Sequence, residues 1–215
     1  MEKIMKKDLS LLKSQKLYMI YAILLVFSLY IGWGSPFQGM VICSMASGVS
    51  SLVPITYAFD RKYSKELHLP ENRVSYILEK YVLSFLCISS MSILCGFIMS
   101  ILFNTRTISN PISWITTVVL CIMASMLVCA LSILIHLEVV AIRARAITFI
   151  IAFIVFYLLS NTIFNSVLKS IANILSLSNL WLAKLIIIFT ITLVIVLLMI
   201  ISIKRIKKIQ LISNK

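Results

Sequence analysis

Residues 57–81 read YAFDRKYSKELHLPENRVSYILEKY, the one long polar segment between two hydrophobic runs of this chain. It holds nine charged residues: Asp60, Arg61, Lys62, Lys65, Glu66, Glu71, Arg73, Glu79 and Lys80. Its centre, Leu69-Pro70-Glu71-Asn72-Arg73, has the grammar of a helix start. Proline fits the first helical position, where its missing N–H costs nothing, and Glu71 then faces the positive end of the helix dipole. Beyond it, Val74, Ile77, Leu78 and Tyr81 recur at the i, i+3, i+4, i+7 spacing of one helical face. The pattern predicts a short amphipathic helix at a membrane surface that runs straight into the next span. Such a helix suits a polar-rimmed docking site; a merely solvated loop over 60–81 is the plainer alternative.

Composition sets the class of the whole chain. Hydrophobic residues make up 61%, charged residues 13%, and mean hydropathy is +1.07. A soluble domain carries about a quarter charged residues, so a soluble fold is excluded. A run of roughly 20 apolar residues crosses a bilayer as a helix. Six such runs are expected near residues 17–34, 39–59, 82–103, 114–137, 146–164 and 184–203, forming one all-α polytopic domain over 1–215.

Lys and Arg set the expected orientation, because they collect on the cytoplasmic side. With a cytoplasmic N-terminus, that side receives five in residues 1–16, five in 60–81, Arg143 and Arg145, and five after residue 203. Only Arg106, Lys169 and Lys184 fall outside, and all seven acidic residues lie on the cytoplasmic side. The split predicts N-in, C-in topology. The net charge of +13 is then a collar facing anionic lipid head groups, not a nucleic-acid surface. The first span lacks a small-residue cleavage site and reads as a retained helix. Cys43, Cys87, Cys95, Cys121 and Cys129 lie inside expected spans without a CxxC pair, as small packing residues.

Residues 1–16 place Ile4, Met5, Leu9, Leu11 and Leu12 opposite most of the lysines, the pattern of a helix in the head-group plane. A disordered basic leader is the other reading. Ser44/Gly48 and Ser47/Ser51 in span two, and Ser92, Gly96 and Ser100 in span three, are small-residue faces that allow close helix approach. They suit packing within the bundle, a dimer seam or a substrate path. His136 and Glu138 end span four. Metal binding is disfavoured there, since His68 is the only other histidine; pairing of Glu138 with an arginine explains the cluster. Residues 165–184 interleave apolar residues with Ser, Asn and Lys169, predicting one or two short interfacial or re-entrant helices.

No GxxxxGK[ST], HExxH or GxSxG motif occurs, and no carboxylate pair is expected on facing spans. Neither an energy source nor catalytic groups are encoded, so the chain is not read as an enzyme and needs a partner.

At Lys7-Asp8 with Leu11-Leu12, at Tyr57-x-x-Asp60, and at Leu69-Pro70, Arg73 and Glu79-Lys80-Tyr81, the chain resembles the membrane subunits of type-two ABC exporters. More narrowly, it resembles the small permeases that export bacterial peptides such as phenol-soluble modulins. Relatives commonly carry Asp-Glu after span two and Ser-Leu-Pro before the helix, where this chain has Asp60-Arg61 and His68-Leu69-Pro70. The resemblance implies a coupling helix docked on a separate ATPase subunit, assigned to Leu69, Pro70, Glu71, Arg73, Tyr76, Ile77, Glu79, Lys80 and Tyr81. It also implies outer-gate helices over 165–183 and pairing with a second permease chain, as homo- or heterodimer. ATP-Mg would sit on the ATPase, with no cofactor bound by this chain, in a bacterial cytoplasmic membrane. Two other readings stand beside it: the substrate-capturing subunit of an energy-coupling-factor vitamin transporter, and a bacteriocin immunity protein. Span one holds a single alanine, Ala22, against the Ala-xxx-Ala face of the former.

Overall fold

The computed structural model describes residues 23, 26, 39–45, 73–102, 111–138, 141–160, 162–175 and 180–213. Five helices follow in order: α1 (Arg73–Leu102), α2 (Pro111–Glu138), α3 (Ala141–Ser160), α4 (Thr162–Ile174) and α5 (Leu180–Ser213). Residues 39–45 are also helical, and no strand occurs among the described residues. The expected helix over 1–16, span one apart from Ile23 and Val26, and the polar segment through Asn72 lie outside the described residues.

Among the described residues three helices are long and apolar enough to cross a membrane: Ile77–Ile98, Trp114–Glu138 and Trp181–Lys207. Helices are the natural solution, because every backbone polar group is then satisfied within its own segment. The helix expected from Pro70 and the span expected from residue 82 are one unbroken helix, α1, whose membrane-length part begins at Ile77. The stretch near 146–164 is divided, since α3 ends at Ser160 and α4 begins at Thr162. The apolar part of α3, Ala146–Leu159, is shorter than the other three.

Side-chain contacts fix the directions. Tyr81, near the start of α1, meets Ser202, near the end of α5. Thr148, early in α3, meets Ser132, late in α2. Thr117 meets Lys184, and Glu138 meets Arg205, so α2 and α5 run parallel. Hence α1 and α3 run one way and α2 and α5 the other. The first turns of α1 and α3 and the last turns of α2 and α5 share one end of the bundle.

Helix α2 is the hub. Two thirds of its membrane-length stretch is buried (67%), against 39% for α1 and 11% for α5. Small side chains make this possible: Cys121, Ala124, Ser125, Cys129, Ala130 and Ser132 are all buried along it. They let α1, α3 and α5 approach its axis closely. Of the small-residue faces of spans two and three, Ser44 and Ser92 meet each other; Ser47, Gly48 and Ser51 lie outside the described residues. Ser44 Oγ lies 2.7 Å from Ser92 Oγ, and each hydroxyl also lies within hydrogen-bond distance of the carbonyl one turn before it, so that two protons are shared among three contacts. A methyl group at Gly96 would come 3.2 Å from the Trp114 ring, 3.3 Å from Val118 and 3.4 Å from the Met40 sulfur. For Ser44, Ser92 and Gly96, packing within the bundle is therefore the role observed.

Helix α4 is amphipathic. Leu168 and Ala172 pack on Ala183 of α5, with Ile171 and Ile187 beside them. Ser166, Lys169, Ser170 and Asn173 face outward. One such helix, rather than two, occupies the described part of the region expected to carry short interfacial helices.

Candidate functional site

Leu69, Pro70 and Glu71 lie outside the described residues, and Arg73 opens α1. Ile77, Glu79, Lys80 and Tyr81 are all buried, at 0%, 4%, 1% and 5% exposure. The sequence pattern accounts for Ile77 and Tyr81, which belong to the apolar stripe and join the main core beside Ile133 and Ile206. It does not account for Glu79 and Lys80, which an amphipathic surface helix would turn toward water. Here the covered arc of α1 is wider than the stripe, because neighbours close on it from more than one side.

Tyr81 carries the site to the opposite end of the chain. Its Oη lies 3.4 Å from Ser202 Oγ, and Ser202 also donates to the Leu198 carbonyl at 2.8 Å. Three residues further along α5, Arg205 Nε lies 3.1 Å from Glu138 Oε1. Positions three apart share a helix face, so Ser202 and Arg205 tie the end of α5 to α1 and α2 respectively. The arginine that pairs with Glu138 is thus Arg205 of the last helix. Nothing in the sequence shows either contact, since the partners are far apart in the chain.

His136 is buried in the same third of the bundle. Its Nδ1–H donates to the Ser132 carbonyl at 2.8 Å, and Ser132 Oγ lies 2.8 Å from Thr148 Oγ1. Thr148 in turn donates to the Ala144 carbonyl at 2.8 Å. The Ser132–Thr148 contact holds α3 against α2, while the imidazole bonds within α2. Among the described residues no three His, Cys, Asp or Glu side chains come close enough to hold a metal ion. What the arrangement offers is mechanical. A stiff helix enters the bundle at Arg73, and its first buried turns touch the ends of α2 and α5.

Residues 3–207 match the family model described as ABC-2 family transporter protein. The chain belongs to the ABC-2 transporter family. It is a type-two ABC permease and a multi-pass membrane protein. No curated protein and no solved structure matches the chain. The match spans every described helix except the end of α5. It favours the type-two permease resemblance over the energy-coupling-factor reading.

Proposed function

We propose that this permease is the membrane half of an ATP-driven exporter, partnered by a separate ABC ATPase and a second permease chain. Its cargo is amphipathic peptides or similar toxic apolar compounds, moved out of a bacterial cell. The carrying observation is the unbroken helix from Arg73 into the membrane, with Ile77 and Tyr81 already in the core. In this reading Leu69 to Tyr76 contact the ATPase, which holds ATP-Mg. The buried turn from Ile77 to Tyr81 passes the movement on. A helix hydrogen-bonded without interruption transmits a push along its axis, whereas a separate surface helix would dissipate it at the joint. Tyr81 brings that movement to the end of α5, and α1 shifts there relative to Ser202.

Affinity purification from native membranes in mild detergent, followed by mass spectrometry, tests the assignment. An ATPase bearing its own phosphate-binding loop is expected to accompany the chain. Recovery of the chain without any nucleotide-binding partner would sink the exporter reading and favour an immunity protein.

A further inference from the structure

Three contacts fix the register of the parallel pair α2 and α5. Thr117 with Lys184, Met123 with Thr192 and Glu138 with Arg205 join residues 67, 69 and 67 positions apart. Trp181 is therefore level with Trp114, and these part-exposed indoles mark one head-group line. In the antiparallel pair α2 and α3, Ser132 meets Thr148. Arg143 then lies level with Leu137, at the end of α2, whereas Leu159 lies level with Cys121. At about 1.5 Å per residue, the apolar stretch Ala146–Leu159 stops about 10 Å inside the line of Trp114. That stretch is about 21 Å long, against roughly 30 Å for a bilayer's hydrocarbon core, and the shortfall falls at this one end.

Helix α4 occupies the step. Its Leu168 and Ala172 cluster with Ala183 of α5, with Ile171 and Ile187 beside them. By the register of α2 and α5, Ala183 and Ile187 are level with Thr116 and Leu120, so α4 also lies inside the tryptophan line, by about 3–9 Å. At about 100° per residue its surface divides into three arcs. Leu168, Ile171 and Ala172 make the packed arc. Exposed Val167 and Ile174 lie together about a quarter-turn to one side of it, and exposed Ser166, Lys169, Ser170 and Asn173 fill much of the remainder. This is the surface of a helix lying in a membrane boundary, sideways against its own protein, with an apolar flank toward acyl chains and a polar arc toward water. At full bilayer thickness the polar arc would sit in hydrocarbon, where an ammonium and three polar side chains are costly. Lipid does reach this part of the bundle, since α3 presents exposed Phe149, Phe153 and Leu158 to it. A short apolar helix is accommodated by local thinning of the bilayer.

We propose that one leaflet steps down at α3 and α4, so that phospholipid head groups rest on the polar arc of α4 inside the line of Trp114 and Trp181. In the N-in, C-in reading this is the outer leaflet. Lys169 meets the lipid phosphate, Ser166, Ser170 and Asn173 hydrogen-bond phosphate and ester oxygens, and Val167 and Ile174 dip among the acyl chains. The step needs no ATPase and stands apart from the exporter reading.

The test uses the full chain without its five native cysteines, in vesicles of phosphatidylcholine and phosphatidylglycerol, with bimane on Ser170→Cys of α4 or on Leu185→Cys of α5. Leu185 is exposed, level with Val118 and therefore at the depth of α4, and it points away from Ala183. A nitroxide is carried on the head group or midway along the acyl chain of added phosphatidylcholine. The head-group nitroxide is expected to quench Ser170→Cys more than the acyl nitroxide does, with the order inverted at Leu185→Cys. Stronger quenching of Ser170→Cys by the acyl nitroxide overturns the step, and so does stronger head-group quenching at both positions, which would put the whole boundary lower. Quenching of Ser170→Cys by aqueous iodide but not by the head-group nitroxide would replace the lipid by a water-filled cleft. Protection from all three quenchers would replace it by a second permease chain. Asn173→Cys, on the same arc, takes the place of Ser170→Cys if that variant does not reach the membrane.

Discussion

Arg205 of α5 lies 3.1 Å from Glu138 at the end of α2, and both side chains are about half exposed. The pair joins the two parallel helices where each leaves its membrane-length stretch. Exposure limits its strength, because water and salt screen both charges; such pairs contribute about 0.2–1 kcal/mol. Glu138→Gln or Arg205→Gln is therefore expected to lower the thermal midpoint only slightly. The double variant Glu138→Arg/Arg205→Glu should recover most of the loss. A midpoint series in one detergent at low and high salt checks this; a loss well above that range, insensitive to salt, would show that the pair is not screened.

Gly96 is a sharper structural test. Its missing side chain is the space taken by Trp114, Val118 and Met40. Alanine gains about 0.8–1.0 kcal/mol of helix propensity over glycine, which offsets a few tenths of an ångström of crowding. Gly96→Ala should then lie within about 1 kcal/mol of the wild type. Gly96→Leu overpacks the site and should cost about 1–3 kcal/mol or more. Trp114→Ala in the same chain should return part of that loss. Unfolding midpoints of the four proteins decide it, and a well-tolerated leucine would contradict the observed packing.

Much of this architecture was legible in the sequence, for a plain reason. Apolar runs must be helical in lipid, so hydropathy alone located α2 from Trp114 and the body of α5. The small-residue faces holding Ser44, Ser92 and Gly96 were legible as contact surfaces, though not as each other's partners. Charge misled at the edges. Lys184 and Lys204 looked like the limits of the last span, yet backbone hydrogen bonding continues through both, and α5 runs Leu180–Ser213. Long basic side chains reach toward the head groups from inside a helix. Glu79 and Lys80 looked solvated because periodicity reports one apolar stripe, not how many neighbours close around a helix. That Glu138 pairs with an arginine was legible, but that the arginine is Arg205, and that Tyr81 meets Ser202, had no sequence signal.

Topology can be read from residues at opposite ends of the bundle. Lys169 on α4 and Lys207 on α5 are both exposed. In a chain without its five native cysteines, Lys169→Cys is expected to react with a membrane-impermeant maleimide added to intact cells. Lys207→Cys should react only after the cells are opened. The reverse pattern would invert the orientation read from the basic residues, and labelling of both in intact cells would contradict a membrane between them.

The contact between Tyr81 and Ser202 makes the mechanical reading testable. At 3.4 Å it is long for a hydroxyl–hydroxyl hydrogen bond, whose usual length is about 2.7–2.8 Å. Tyr81→Phe should therefore cost no more than about 1 kcal/mol of stability. Its proposed importance lies in movement, because Tyr81 sits where α1 meets the end of α5. A reducible bis-methanethiosulfonate cross-linker between Tyr81→Cys and Ser202→Cys, bridging the space of the lost phenol in the cysteine-free background, would hold these helices together. With the ATPase partner reconstituted in vesicles, cross-linking should abolish peptide transport and reduction should restore it, while either single cysteine variant stays indifferent to the reagent. Arg73→Ala, on the ATPase-facing side, should instead lower transport under both conditions and leave hydrolysis running. Transport that continues through a fully formed cross-link would show that α1 and the end of α5 do not move apart. The coupling route through Tyr81 would then be wrong even if the ATPase partner is right.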